Sequence, residues 1–362
     1  MGKKLRISFV IPPNIRSGGV FVVLEYYRRL TNLGHEVNIF YPLFPYWELL
    51  PSNAWWKKIL LWIRHFQFNL RKFTHTISLF SEKIPVKPVI RISDIFIPNS
   101  DAVVATAWPT AYDVVRLSHQ KGCKYYFVQS YEIWLANAKK ANISYSLPLN
   151  VITIAPSLTD LMRDKFHRNN VTEIHNGIRF DRFYPPTAKN FERASILFMA
   201  HDLEWKGTRD AIDALTIVKE RFPQLEINAF GMCTRPIAPF EFEYCRDPRH
   251  DQLLSLYQNA TVFVFPSHDE EAWGLPATEA MACQCAVVAT NVGCIPVINN
   301  GKNLILAEAK KPSSIVDAII ILLNDTKLTE TIAYQGFKSV QEMGWEKSAH
   351  MLQNCFLSNL PA

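Results

Sequence analysis

Apolar and polar positions along the chain follow a strand–helix rhythm. LRISFVIP (5–12) is a nearly continuous apolar run, the pattern of a parallel strand buried on both faces. A loop over 14–20 follows, then VFVVLEYYRRLTNLG (20–34) reads as a helix ending at Gly34, and EVNIFYP (36–42) as the next strand. Further strands are expected at 101–107, 124–129 and 151–155, with helices at 110–120 and 157–166. HNGIRFDRFYPPTAKNFERA (175–194) then interrupts the rhythm as a polar, turn-rich linker with a proline pair. Beyond it the pattern restarts, with strands at 194–200, 225–231, 260–267 and 286–290. The helices expected between and after them lie at 207–221, 251–259, from about 276, 312–324 and 327–342.

Strands alternating with helices argue an α/β architecture of two Rossmann-like domains, each a parallel sheet covered on both faces, facing a central cleft. Residues 1–188 form the first domain and 189–345 the second. Ligands in such sheets bind beyond the carboxyl ends of the strands.

A length of 362 residues suits two domains, and 48% apolar with 20% charged residues is ordinary for a globular protein. No run reaches the roughly 18 apolar residues of a membrane span, and MGKKLRISFVIPP has the features of neither a signal peptide nor a myristoylation signal. Seven scattered cysteines without a C-x-x-C pair read as reduced thiols of a cytoplasmic protein. The net charge of +6 hides an asymmetry: residues 1–188 hold 24 Lys/Arg against 12 Asp/Glu, residues 189–362 hold 15 against 21. A basic half of this kind suits an anionic partner.

The segment EEAWGLPATEAMA (270–282) sets Glu271 and Glu279 eight positions apart around a Gly-Leu-Pro step. A strand ending at Pro266-Ser267, a loop, then a helix beginning near Pro276 puts the amides of Trp273, Gly274 and Leu275 at a helix N-terminus, where phosphate is attracted. Glu279 is expected in the first helical turn and Glu271 in the loop. Taken alone, two such glutamates are more often a helix-dipole partner and a solvated side chain.

The segment Glu271-Ala-Trp-Gly-Leu-Pro-Ala-Thr-Glu279-Ala-Met-Ala resembles the E-x7-E hallmark of the retaining GT-B glycosyltransferases of glycosyltransferase family 4, the group 1 transferases. Ser17-Gly18-Gly19-Val20 is similar to that family's N-terminal glycine-rich loop, His175-Asn-Gly-Ile178 to its linker, Trp205-Lys206-Gly207 to its Lys-Gly step and Phe230-Gly231 to its strand–glycine turn. The resemblance implies a GT-B fold in which 1–188 binds the acceptor, 189–345 binds the nucleotide sugar, and a C-terminal helix, 346–362, crosses back to the first domain. It also implies transfer of a hexose from a nucleoside diphosphate sugar to a glycan or lipid-linked saccharide, in cell-surface polysaccharide or glycolipid synthesis. In that frame Glu279 accepts from ribose hydroxyls, Glu271 orients the donor sugar, and Lys206 with the helix N-terminus stabilises the departing diphosphate. Gly18, Gly19, His201, Gly231, Ser267, Trp273, Gly274 and Leu275 complete the expected donor site.

No D-x-D pair occurs, so no metal and no cofactor are expected, and the leaving-group charge falls to cations and amide dipoles. Two positions depart from the family pattern. His201 stands where an arginine is usual, exchanging a permanent bidentate charge for a titratable donor, and Gln129 stands where a histidine often closes a strand of the first domain. Gln129 and Glu132 are candidate sugar or acceptor contacts, with a structural hydrogen bond equally open. Cys283-Gln284-Cys285 reads as packing variation.

AWWKKILLWIRHFQFNLRKFTH (54–75) carries five Lys/Arg and no acid. At roughly 100° per residue Trp55, Ile59, Trp62, Ile63, Phe66, Leu70 and Phe73 share one face, and Lys57, Lys58, Arg64, Arg71 and Lys72 the other. Interfacial membrane helices have this composition, and so do helices packed on their own domain. The first reading places the protein peripherally on the inner face of a membrane. Nucleic acid is not expected, because no recognised motif is present. Two other functions remain open on the same fold: a non-catalytic sugar-binding module and a nucleotide-sugar epimerase.

Overall fold

A computed structural model describes residues 3–13, 17–47, 50, 55–71, 76–79, 82–134 and 137–360. The chain divides into two compact units, residues 1–175 with 345–362, and residues 176–344. In the first unit the strands are β1 (Arg6–Val10), β2 (Glu36–Pro42), β3 (Thr76–Leu79), β4 (Glu82–Pro85), β5 (Lys87–Val89), β6 (Ala102–Ala105), β7 (Cys123–Val128), β8 (Asn150–Thr153) and β9 (Val171–Glu173). Its helices are α1 (Gly18–Asn32), α2 (Trp55–Arg71), α3 (Trp108–Arg116), α4 (Ala138–Ser144) and α5 (Pro156–Asp164). Seven strands form one parallel sheet in the order β5-β2-β1-β6-β7-β8-β9, and β3 and β4 make a separate antiparallel hairpin. Ile7 to Val10 of β1 are all buried, as a central parallel strand covered on both faces requires.

The second unit repeats the plan. Its elements are β10 (Ser195–Ala200), α6 (Thr208–Arg221), β11 (Glu226–Gly231), β12 (Glu243–Arg246), α7 (His250–Asn259), β13 (Val262–Phe265), α8 (Leu275–Ala282), β14 (Ala286–Thr290), α9 (Ile295–Ile298), β15 (Ile305–Ala307), α10 (Pro312–Asn324) and α11 (Thr326–Val340). The six strands are parallel in the order β12-β11-β10-β13-β14-β15. Ile196, Phe198, Val262, Val264 and Val288 of the sheet meet Leu215 of α6 and Ile319 of α10 in its core.

The division lies ahead of the Pro185-Pro186 pair. The Ile178 N–H donates to the Met343 carbonyl (2.7 Å), and Ile178 bridges to Gly344, so the chain past His175 is already tied to the second unit. The last helix, α12 (Trp345–Ser358), belongs to the first unit. Its Trp345 ring meets Tyr26 of α1 edge-on at 5.4 Å, and Glu346 pairs with Arg29 at 3.3 Å.

Three local expectations shift. The helix after β13 begins at Leu275, so Glu279 sits in its second turn and no acid occupies the first. Gly18 and Gly19 open α1 instead of lying in a loop, because the Ser17 hydroxyl caps the helix by accepting the Val20 N–H (3.3 Å). On α2 the single apolar stripe divides: Trp62 and Phe66 stack on Phe44 at 4.9 and 4.5 Å, while Trp55 is 70% exposed. The side chains of Leu70 and Arg71, and Lys72 and Phe73 altogether, lie outside the described residues.

Candidate active site

The second unit gathers its candidates at the carboxyl ends of β10, β11 and β13. After β10 the chain makes a short turn over Glu204–Lys206 and enters α6 through Gly207, whose φ is +69°. A Cβ at Gly207 would overlap the carbonyl oxygen of Pro266, so glycine lets the Lys206 turn close against the end of β13. The loop after β13 reaches back: the His268 N–H donates to the Trp205 carbonyl (2.7 Å), and the Glu271 N–H to the His268 carbonyl (3.0 Å). The His268 ring holds Asp210 of α6 at 2.6 Å.

This lacing brings the Lys206 ammonium within 2.7 Å of the Glu271 carboxylate. The Ser267 hydroxyl donates to the same carboxylate oxygen (3.1 Å). The lysine side chain is 15% exposed and the glutamate 6%, so the pair is largely shielded from water. Lys206 also lies 4.3 Å from the centre of the Trp205 ring, a cation–π contact.

Gly274 caps α8 at φ +85°, packed so closely on the Phe265 ring that a Cβ would overlap it. Trp273 is buried and its carbonyl accepts the Cys294 N–H (2.6 Å). Glu279, on the second turn of α8, accepts the Tyr257 hydroxyl (3.1 Å). Burial raises its carboxyl to about 7, the tyrosine's hydrogen bond acting the other way.

His201 follows β10. Its Nδ1 accepts the Leu203 N–H (3.0 Å), and its backbone N–H and carbonyl both bond the Thr208 hydroxyl (2.9 and 3.0 Å). Burial, with Lys206 nearby, lowers its pKa from the ordinary value, against the opposing pull of Asp202 and Glu271. The ring is therefore neutral at pH 7, and the bond at Nδ1 assigns its proton to Nε2. Gly231 closes β11 against the Ala200 carbonyl.

In the first unit Gly19 lies against the Gln129 side chain, where a Cβ would stand 3.2 Å from Nε2. Glu132 accepts the Trp108 N–H at the N-terminus of α3 (2.7 Å), and its own N–H donates to the Tyr145 hydroxyl (2.9 Å). Burial lifts its carboxyl to about 7, partly offset by the Trp108 N–H.

Sequence reasoning had no signal for the Tyr257–Glu279 bond or the His268–Asp210 pin, whose partners lie 22 and 58 residues apart. Among the described residues no group of three or more His, Cys, Asp or Glu side chains is arranged to hold a metal.

Residues 244–339, which include the Glu271–Glu279 segment, match the family Glycosyl transferases group 1. The chain is similar to the uncharacterized glycosyltransferase MJ1178 of Methanocaldococcus jannaschii, 27% identical over 192 residues, 51% of this chain and 52% of that protein. It is also similar to the capsular polysaccharide biosynthesis glycosyltransferase CapM of Staphylococcus aureus, 26% identical over 272 residues, 67% of this chain and 69% of that one. Thus the chain spans about half the length of the first and just over two-thirds of the second. Among solved structures, Anabaena HepE in complex with UDP-glucose superposes with a TM-score of 0.71 at 14% identity, covering 98% of this chain and 100% of HepE.

The fold is GT-B. The family match and both named relatives are glycosyltransferases.

Proposed function

We propose that the chain is a retaining, metal-independent glycosyltransferase that moves a hexose from a nucleoside diphosphate sugar to a saccharide or lipid-linked saccharide. The observation that carries this reading is the Lys206–Glu271 pair, 2.7 Å apart and largely buried, in the unit that carries α8. HepE, which has the same fold, was solved with UDP-glucose, which favours a nucleotide-sugar donor.

In this reading diphosphate oxygens meet Lys206 and the first amides of α8 as the bond to the anomeric carbon breaks. A preorganised cation and amide dipoles in a shielded site lower the cost of that developing charge, commonly the largest catalytic contribution. The Glu271 carboxylate accepts from hydroxyls of the donor sugar and orients its anomeric carbon. Glu279 faces the ribose hydroxyls. Neutral His201 supplies one N–H, from Nε2, in place of an arginine fork. Gln129 and Glu132 take the acceptor. No carboxylate nucleophile is invoked, because front-side displacement retains configuration without one.

Unit one is proposed to work at an anionic membrane surface. Trp55, Trp56 and Leu60 are 70, 51 and 60% exposed, beside Lys57 and Lys58, on a helix with no acidic residue. No helix among the described residues is long and apolar enough to cross a membrane.

The test is turnover of UDP-, GDP-, ADP- and dTDP-hexoses in the presence of EDTA, with the anomeric configuration of the product read by NMR. Retained configuration and EDTA-insensitive turnover support the reading. Inverted product, or activity abolished by EDTA and restored by a divalent ion, contradicts it. Donor binding without turnover in any acceptor mixture favours the binding-module alternative.

A further inference from the structure

Beside α2, unit one holds an open cavity of about 610 Å³ between the segment after β2, the segment after β5 and one side of α3. Phe44, Tyr46, Trp47, Arg91, Ile95 and Arg116 are among its lining residues. The donor reading uses none of them. The wall of this cavity is also the mount of α2: the Trp62 indole N–H donates to the Pro45 carbonyl (3.2 Å), Phe44 stacks on both Trp62 and Phe66, and Lys58 lies 5.8 Å from the Trp47 ring. Cavity and helix therefore form one continuous surface.

We infer that this cavity takes the phosphate of an anionic phospholipid headgroup while the exposed side chains of α2 enter the bilayer interface; the inference rests on the membrane reading above.

Two arginines set the chemistry. Arg91 and Arg116 form no ion pair among the described residues, whereas both carboxylates of the lining are engaged. Asp113 accepts the Tyr46 hydroxyl (2.6 Å), and Asp94 accepts the Ser118 N–H (2.9 Å). A guanidinium presents a planar fork of donors that matches phosphate oxygens two at a time, which an ammonium cannot do.

The apolar surroundings select a lipid over a soluble polyanion. Ile95, on the rim, is 83% exposed, and Trp55, Trp56 and Leu60 stand out from α2. Tryptophan and aliphatic side chains beside lysines belong at the headgroup–acyl boundary. Water hydrates such a surface poorly, and an acidic protein or nucleic acid would leave most of it uncovered.

The experiment uses the full chain with phosphatidylcholine vesicles, with and without phosphatidylglycerol, read by cosedimentation and tryptophan fluorescence. The variants are Arg91→Gln/Arg116→Gln, Arg91→Lys/Arg116→Lys and, as a charge control on α4, Lys139→Gln/Lys140→Gln. Circular dichroism and thermal midpoints report folding of each. The wild type binds only vesicles that contain phosphatidylglycerol. The glutamine pair loses about thirtyfold in affinity, the effect of two basic residues at a charged surface. The lysine pair loses part of that although it keeps the charge, and the α4 control loses less than either.

A lysine pair that binds like the wild type overturns the cavity and leaves membrane binding standing as diffuse electrostatics. Failure of the wild type to bind any vesicle overturns the membrane reading and the cavity with it. A thermal shift with inorganic phosphate that the glutamine pair abolishes, without vesicle binding, assigns the cavity to a soluble phosphate and overturns the lipid.

Discussion

Replacing Lys206 by alanine perturbs stability and chemistry by separable amounts. The ammonium sits 2.7 Å from Glu271, with side-chain exposures of 15 and 6%, so solvent screens the pair weakly. Removing one partner of a buried pair costs about 3–5 kcal/mol, chiefly from stranding the other charge. The Ser267 hydroxyl still donates to Glu271 in the variant, and the space left by the lysine admits water, so the expected loss lies near the lower end, about 3 kcal/mol. Glu271→Gln relieves the stranded charge, and the double variant is expected to lose about 1–3 kcal/mol less than the sum of the two single losses. Loss of the cation at the leaving group is expected to lower kcat by about 10²–10³, the effect of removing one preorganised donor. Urea unfolding of the four proteins of the cycle gives the first quantity, and release of nucleoside diphosphate gives the second. Strictly additive stabilities, or a Lys206→Ala enzyme whose kcat stays within a few-fold of wild type, would refute this account of the pair.

Three further outcomes follow from the same geometry. Gly207→Ala forces a Cβ into the Pro266 carbonyl at positive φ, so urea unfolding should show a loss of about 2–4 kcal/mol, a steric clash added to backbone strain. Glu132 and Glu279 both have folded pKa values near 7, above the ordinary 4.5. The folded state therefore binds more protons than the unfolded one between those values, and each group weakens stability by up to about 3 kcal/mol as pH rises from 4.5 to 7. Replacing either by glutamine should flatten that part of the stability–pH curve, and an unchanged slope counts against the burial argument. His201→Arg puts a permanent charge where a neutral ring stands. Donor KM should fall about tenfold, the effect of one charge-assisted hydrogen bond, and a rise in KM means that the ring position does not face phosphate.

Local chemistry was legible where it is set by neighbours along the chain. The strands at 36–42 and 286–290 and the helix at 312–324 have the bounds their apolar patterns predict, because buried parallel strands and an amphipathic helix opened by proline carry their signals within themselves. The β3–β4 hairpin and the short edge strands β5, β9, β12 and β15 escaped, since three or four residues carry too little pattern to separate a strand from a loop. The Glu271–Glu279 segment carried the family resemblance, but not the contacts that hold it in place. Lys206 meets Glu271 across 65 residues through a glycine turn packed on Pro266, and that contact is a property of the sheet, not of either sequence segment. Helical periodicity likewise put Trp55 and Trp62 on one face without telling which of them the domain covers. Phe44, far from the helix in sequence, makes that choice.

The central claim is that the Lys206–Glu271 pair serves transfer from a nucleotide sugar. Its most direct test is the rate of nucleoside diphosphate release from a panel of sugar nucleotides by wild type, Lys206→Ala and Glu271→Gln, with a bacterial glycan extract as acceptor. The account predicts that wild type consumes one donor class and that both variants, still folded by circular dichroism, fall by two orders of magnitude or more. A wild type that consumes no donor, or variants that match it, would contradict the claim.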